Sequence, residues 1–420
     1  MRPAVIVDPY TSGALFAPAF HQAGIPVVAL LSSPAPPEVY AASFRPEDYA
    51  EIIVHSGQTQ RRLRELDPVC LLPGCESGVE LADTLTAEVF PEWANVPELT
   101  PARRHKGAMA EAVALAGLPI IPQVCTADPD EVTAWIAKYG LAGKDLVVKP
   151  PKSAGTDGVT KVAGGHGWRE VFDARLGQRN RLGLVNDQVL VQQHAVGTEY
   201  VVDLFSHGGD HTVADVCRYG KVDNGRHMAV YESLAWLAPD DPVVPVLTEH
   251  AKHVLDAVGL RYGTAHVELI LTDHGPRLVE VGIRPHGGGH PRYCRVATGD
   301  SQVDRAVRHF TGQGEVPEGY ALRKHMRVVF LMSRTAGVVR GTDSLAAIPE
   351  LASHHESVIT VRAGDRIEVT DDLFATFDVG FVVLAHDDPE QVLADEAAVR
   401  KAEAGLEVIG DRGCGRSTVE

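Results

Sequence analysis

The stretch His266-Val267-Glu268-Leu269-Ile270-Leu271-Thr272, then Asp273-His274-Gly275, then Pro276-Arg277-Leu278-Val279-Glu280-Val281, decides how this chain is read. Two apolar runs flank a short Asp-His-Gly turn, which predicts an antiparallel hairpin of His266–Thr272 and Pro276–Val281. If the loop is Asp273–Gly275 with Gly275 left-handed, Glu268 lies directly opposite Glu280. A two-residue turn would instead send the two acids to opposite faces. Opposed carboxylates repel unless a cation lies between them, and oxygen donors of this kind suit Mg2+. Two solvated glutamates on an exposed hairpin are the plain alternative. Against it, both acids sit among Val, Leu and Ile, as in a central strand pair.

Beyond Glu280 the alternation places Gly282 and Arg284 on the same side. An arginine four positions after a metal-binding carboxylate can clamp an acyl phosphate, or the oxyanion formed when that acyl group is attacked. Next comes Pro285-His286-Gly287-Gly288-Gly289-His290-Pro291-Arg292. Gly287 and Gly288 let the backbone wrap closely round a small substrate. His286, His290 and Arg292 are candidates to grip it, Arg292 by pairing with a carboxylate, and they equally suit a loop surface. The histidine spacing matches no compact zinc motif.

Upstream, Leu146-Val147-Val148-Lys149 reads as a strand ending in a lysine, followed by Pro150-Pro151-Lys152-Ser153-Ala154-Gly155-Thr156-Asp157-Gly158-Val159. Glycines turn backbone amides toward an anion, and Ser153 and Thr156 add hydroxyl donors beside the Lys149 charge. The same residues also suit a solvated turn with a snorkelling lysine. It is not a phosphate loop of the GxxxxGK[ST] type, because the lysine precedes the glycines, and no GxGxxG follows the first strand. Further on, Gln192-Gln193-His194-Ala195-Val196-Gly197-Thr198-Glu199 ends one strand, bends and starts another. Gln192 can accept from an exocyclic amine and Glu199 can hold a pair of sugar hydroxyls, although both glutamines also fit a sheet edge. The segment Arg226–Ser233, with His227, Tyr231 and Glu232, is a candidate for holding an amino acid, Glu232 by pairing with its ammonium. Met228 and Tyr231 fit core packing as well.

The rest of the chain supplies the frame. Strand and helix signals alternate over the first hundred residues: strands at Ala4–Val7, Ile25–Leu30, Tyr49–His55 and Cys70–Leu72, helices at Leu15–Ala23 and Gln58–Leu66. That rhythm predicts a parallel α/β sheet, with Glu76 and Ser77 at the crevice past its last strand. Thr100-Pro101 predicts a capped helix from Ala102 to about Ala116. From Lys324 the texture changes to short strands and a final helix, Asp388–Ala404. The expected domains are 1–98, then 99–323 with a lid subdomain over about 119–196, then 324–420.

The whole chain has 420 residues, 45% of them hydrophobic and 23% charged, enough for a sizeable core and roughly two to four domains. Its 39 Lys+Arg against 56 Asp+Glu give a charge of -17, which argues against nucleic-acid or anionic-membrane partners. The first apolar run is too short for a signal sequence, no run reaches membrane-spanning length, and the six cysteines lack metal spacing. A cytoplasmic protein with reduced thiols is expected.

Taken in this order, the pieces resemble the ATP-grasp superfamily, and within it the bacterial L-amino acid ligases and the dapdiamide-synthase type of amide ligase. The resemblance implies an N-terminal parallel α/β domain, a small lid subdomain and a C-terminal antiparallel-sheet portion. It also implies ATP and Mg2+ as cofactors, two ions with Mn2+ able to substitute, and a homodimer. Lys106 and Lys149 would be the two phosphate lysines, and Ser153, Ala154, Gly155, Thr156, Gly158 and Val159 the loop over the triphosphate. Gln192, Gln193 and Ala195 would meet the adenine, Glu199 the ribose, Glu268 and Glu280 the metal, and Arg284 the acyl phosphate. Two departures stand out: Gln192 where many members have Glu, and Gly282 where many have a metal-binding Asn. The expected activity is ATP-dependent joining of a carboxylate to an amine through an acyl phosphate, in dipeptide or natural-product (antibiotic) biosynthesis. The rivals are a purine-pathway formyl or carboxy transfer enzyme, a carboxylase needing a biotinylated carrier, and a non-catalytic ATP-binding module.

Overall fold

The computed structural model describes residues 1–222, 230–371 and 373–410. They form two compact units, Met1–Arg218 with Leu237–Arg323, and Tyr219–Trp236 with Lys324–Glu420.

The first unit opens with β1 (Ala4–Val7), α1 (Phe16–Gln22), β2 (Val27–Leu31), β3 (Glu51–Val54), α2 (Thr59–Leu66), β4 (Cys70–Pro73) and α3 (Val79–Val89). The strands make a parallel sheet in the order β3-β2-β1-β4. β1 and β2 are buried along their whole length, which is why they read as unbroken apolar runs. Sequence reasoning did not foresee α3, whose start lies behind Gly74 and Gly78. A Cβ at Gly74 or Gly78 would come within 2.7 or 2.6 Å of the carbonyl oxygens of Asp8 or Val7, so these glycines serve close backbone approach.

The predicted helix from Ala102 is broken. A 3-10 turn covers Pro101–Arg103, and α4 (Lys106–Leu115) starts afresh with His105 as cap, its Nδ1 accepting from the Ala108 N–H at 3.3 Å. At the break the fully buried Arg103 turns inward and donates to Asp83 at 2.7 Å and to the Val258 carbonyl at 2.8 Å. The result matters for function, because it puts Lys106 at the first position of a helix.

Next come β5 (Gln123–Thr126), α5 (Pro129–Lys138), β6 (Leu146–Lys149), β7 (Thr160–Val162), α6 (Trp168–Arg175) and β8 (Val189–Gln193). They form a small antiparallel sheet, β5-β8-β6-β7, around Val132, Leu146, Val148, Phe172, Val189 and Val191. Asp128 caps α5 as its Asp-Pro sequence predicts. There follow β9 (Thr198–His207), β10 (Asp210–Val222), β11 (Val230–Trp236), α7 (Val243–Ala257), β12 (Gly263–Thr272), β13 (Gly275–Gly282), α8 (His290–Thr298) and α9 (Gln302–Thr311). In the first unit β13-β12-β9-β10 lie side by side, antiparallel. Leu247, Val254 and Leu255 of α7 pack, fully buried, in one core with Val202, Leu204, Val267 and Leu269. Truncating one such leucine to alanine should cost about 2–5 kcal/mol.

In the second unit, β14 (His325–Phe330), β15 (Gly337–Gly341), β16 (His354–Ile359), β17 (Arg366–Ile367), α10 (Leu373–Val379), β18 (Gly380–His386), α11 (Pro389–Ala404) and β19 (Glu407–Ile409) complete the chain. β11-β14-β18-β16 form an antiparallel run and β17-β15-β19 a smaller sheet. Among the described residues, no helix is long and apolar enough to cross a membrane, and the five described cysteines are free thiols.

Candidate active site

Glu268 and Glu280 do lie opposite each other across β12 and β13. The route to that register differs from the favoured one. Thr272 pairs with Gly275, leaving a two-residue turn, Asp273-His274, with Gly275 left-handed at φ 89°. Such a turn alone would put the acids out of phase. A β-bulge corrects it: Leu269 pairs with Leu278 while Glu268 pairs with Glu280, so Val279 is the extra residue.

One carboxylate oxygen from each acid and one ring nitrogen of His266 lie within 4.8 Å of one another. Two hard oxygen donors at that spacing, on adjacent strands, fit Mg2+. Lys106 reaches in from the start of α4, its Nζ 2.7 Å from Glu280 Oε2 and donating to the Ser153 carbonyl at 3.0 Å. Burial raises the Glu280 pKa, but Lys106, His266 and Lys149 outweigh it and bring it down to about 2. At the end of β6 the buried Lys149 is driven the other way: burial and Lys106 lower its pKa to about 8, against the pull of Glu280, Glu199 and Glu268. The two lysines and the acids thus share one electrostatic neighbourhood.

Arg284 lies just past β13. Its Nε and Nη2 are each 2.9 Å from Glu76 Oε1, and its Nη1 donates to the Pro285 carbonyl at 3.0 Å and to His266 Nδ1 at 3.4 Å. Arg104 approaches the other Glu76 oxygen at 3.8 Å. Glu76 therefore sits between two guanidiniums and fixes the plane of Arg284. Because His266 Nδ1 accepts from arginine, its proton is on Nε2, 3.9 Å from Glu268 Oε1. His266 also accounts for Gly282, its partner across the hairpin: a Cβ there would fall 2.0 Å from His266 Cε1. The imidazole fills the space that a side chain at 282 would need.

The loop after β6 is packed against these groups. Its Pro151 carbonyl accepts from the Lys106 backbone N–H at 3.0 Å. Ser153 and Ala154 are buried, Ala154 among Tyr10, Tyr40 and Leu182. Gly155, Thr156 and Gly158 all have left-handed backbones, at φ 64°, 62° and 73°. Thr156 pays for this in strain, since a β-branched residue rarely adopts that region. The Val159 N–H donates to the Thr156 carbonyl at 3.1 Å. At the end of β8, Gln192 is buried and donates to Gln123 Oε1 at 2.8 Å, and the Gln193 N–H donates to the Pro122 carbonyl at 2.9 Å. Ala195 follows half-exposed, and Glu199 pairs with Ile270 in the β9–β12 ladder.

The glycine run places its members unequally. Gly287 and Gly288 form the turn that leads into α8, a helix hidden by the glycines before it and begun with Pro291 in its first turn. His290 is 4% exposed and turns inward, while Arg292 is exposed and lies over the Tyr293 ring at 4.8 Å. His286 and His290 both reach the buried Asp203, described further below. Tyr231 and Glu232 belong to the second unit: Tyr231 is buried against Tyr219 with ring centroids 4.8 Å apart, and Glu232 faces Arg400 at 3.8 Å. His227 lies outside the described residues.

Sequence reasoning missed Arg104, His266 and Asp203. His266 had a signal, standing two positions from Glu268 and so on the same strand face. Asp203 had one too, an acid inside the apolar run Tyr200–Phe205. Arg104 follows an irregular turn and had none.

A profile of the ATP-grasp domain matches residues 142–291, the span holding Lys149, its loop, both opposed glutamates and Arg284. Residues 142–291 are accordingly an ATP-grasp domain. The chain is similar to dapdiamide A synthase of Enterobacter agglomerans, 29% identical over 424 aligned positions covering 97% of each chain. Among solved structures it resembles the L-amino acid ligase from Bacillus licheniformis, with TM-score 0.71, 15% identity and coverage of 98% of this chain and 99% of that one. It also resembles N5-carboxyaminoimidazole synthetase from Staphylococcus aureus complexed with ADP, with TM-score 0.67, 15% identity and coverage of 95% and 96%. The fold is accordingly an ATP-grasp fold with an N-terminal parallel sheet. The chain carries a catalytic ATP-grasp ligase domain, of the chemistry that forms an acyl phosphate and releases ADP.

Proposed function

We propose that this ATP-grasp chain is a carboxylate–amine ligase, joining an amino acid or similar carboxylate to an amine or second amino acid. The observation that carries the reading is the opposition of Glu268 and Glu280, with Lys106 on Glu280 at 2.7 Å and Arg284 fixed just beyond on Glu76 at 2.9 Å. End-to-end similarity to dapdiamide A synthase supports an amide-forming role.

In this reading Lys106, Lys149 and the Ser153–Val159 loop hold the triphosphate, Gln192, Gln193 and Ala195 line the adenine, and Glu199 holds the ribose. Glu268 and Glu280 would hold Mg2+, which when bound offsets charge on the transferring phosphoryl group. A carboxylate is a poor electrophile, so phosphorylation must precede attack by the amine. Lys106 and Lys149 counter the phosphoryl charge. Arg284 stabilises the tetrahedral oxyanion, in a plane set by Glu76 and His266. Closure of the loop over the cleft keeps water from the acyl phosphate. His286, Gly287 and Gly288, next to Arg284, border the acyl group.

The test is purified protein with Mg·ATP, paired amino acids and a panel including ribonucleotide amines, reading ADP and product mass. An amide product from a pair of amino acids is expected. Turnover with ribonucleotide amines alone would replace this reading with a purine-type one. ATP binding without ADP release would leave a binding module.

A further inference from the structure

Behind the loop that follows Arg284 lies a buried chain of acids and imidazoles, of which the reading above uses only His286, and that only as a border of the acyl group. Asp203 of β9 accepts from His286 Nδ1 at 3.0 Å and from His290 Nε2 at 2.8 Å. The same His290 nitrogen lies 2.9 Å from Asp215 Oδ2 of β10. The carboxylates are fully buried and the His290 side chain is 4% exposed, whereas that of His286 is 12% exposed, the most open member of the cluster.

The two histidines are held in different states. Burial disfavours charge on His290, but Asp215 and Asp203 lift its pKa to about 10, so it is an imidazolium shared by both acids. That charge already serves as their counter-ion. Burial lowers the pKa of His286 most of all; Asp203 pulls it up, His290 and Arg284 push it down, and the net shift is downward, so it stays neutral at neutral pH. Donation from Nδ1 to Asp203 sets its tautomer and makes Nε2 the basic nitrogen. The ring is stacked between those of His266, at 5.1 Å, and His290, at 4.1 Å, each at 16°. Its backbone N–H donates to Gln302 Oε1 of α9 at 3.0 Å. Among the described residues, the charged and titratable groups facing it include Asp203 from β9, His266 from β12, His290 from α8 and Arg284 from its own loop.

A neutral imidazole, oriented by a buried carboxylate, two residues from the arginine of the acyl group, is built to accept a proton. We propose that His286 is the base that deprotonates the attacking amine, with Asp203 orienting it and His290 as buried counter-charge. This rests on the carboxylate–amine ligase reading. His286 Nε2 takes one proton from the ammonium, and the freed lone pair forms the C–N bond to the acyl carbon. The acyl C–O bond to phosphate then breaks, and a second N–H proton leaves with the phosphate. Asp203 Oδ1, which has no hydrogen-bond partner among the described residues, adds negative charge that favours the imidazolium formed.

The test compares two nucleophiles on one acyl phosphate: an α-amino acid, protonated at neutral pH, and hydroxylamine, whose nitrogen is not. His286→Asn keeps an amide donor toward Asp203 but has no basic nitrogen; His286→Gln is the second variant should the first not fold. Amide formation at neutral pH should fall about 100-fold or more, and rise again as the pH approaches the pKa of the amine. Hydroxamate formation should bypass the lesion. Asp203→Asn should shift the acidic limb of the amide pH profile while hydroxamate formation persists. Equal loss with both nucleophiles, or no loss with the amino acid, overturns the proposal. Wild-type protein that forms hydroxamate from no carboxylate would remove the ligase reading, and this inference with it.

Discussion

Replacing Lys149 by methionine should make the ligand-free protein more stable and its nucleotide binding weaker. The side chain is only 4% exposed at the end of β6, and its pKa falls from 10.5 to about 8 because burial and Lys106 outweigh three nearby glutamates. That difference of 2.5 units (10.5 − 8), at about 1.36 kcal/mol per unit, makes the charged ammonium destabilising by about 3 kcal/mol at neutral pH. Between pH 8 and 10.5 the unfolded chain binds more protons than the folded one, so this part of the stability rises with pH; below pH 8 the cost is undiminished. A triphosphate bound beside the ammonium would offset that cost, which couples strain in the empty site to affinity. Methionine preserves most of the stem and removes the charge, so a gain of about 1–3 kcal/mol is expected, the upper value being the full pKa difference. Urea unfolding followed by tryptophan fluorescence should show the variant ahead at pH 7.5 and the gap narrowing by pH 10. Calorimetry should show Mg·ATP binding weakened at least about tenfold, the 1.4 kcal/mol of one lost phosphate contact. A variant less stable than wild type at pH 7.5, or a gap that ignores pH, would refute the argument.

Glu280→Gln should abolish ADP release at ordinary magnesium levels and weaken Mn2+ binding measured by EPR; unchanged turnover would take Glu280 out of the metal site. The same change strands the buried Lys106 ammonium, at about 3–5 kcal/mol in denaturant unfolding. In wild type the Glu280 contribution is complete above pH 4.5 and fades as the pH falls toward 2, so acid unfolding should begin earlier in a Lys106→Met variant. Arg284→Lys cannot hold Glu76 through two nitrogens and should lose about 10²–10³-fold in amide formation with ADP affinity retained. Gly282→Asn should cost about 1–3 kcal/mol by displacing the His266 ring, and His266→Ala should relieve it; additive effects in the double mutant would contradict the contact.

The parts of this molecule legible in the sequence are those where one residue class carries a signal of its own. Val5, Ile6, Val28 and Leu30 announced fully buried parallel strands. Lys149, the opposed acids and Arg284 could be named because each lies in or just past a strand with a clear apolar run, although the bulge at Val279 that brings the acids into phase left no mark in the sequence. Illegible were the features decided by distant partners. The break before Lys106 accompanies the burial of Arg103 against Asp83 and Val258, far apart in the chain. The role of Gly282 depends on His266 across the hairpin, and that of His290 on Asp203 and Asp215 in two other strands. α8 was hidden because glycines that mark a loop also supply its cap.

The bulge at Val279 carries a practical consequence. Since the two glutamates are brought into phase by an extra residue inside β13, and not by the length of the connection, the exposed tip at Asp273-His274 is decoupled from the chemistry. A short peptide tag or a cysteine for a fluorescent dye placed at that tip would report on the protein without disturbing the cleft, whereas a single deletion within Leu278–Glu280 would not be so forgiving.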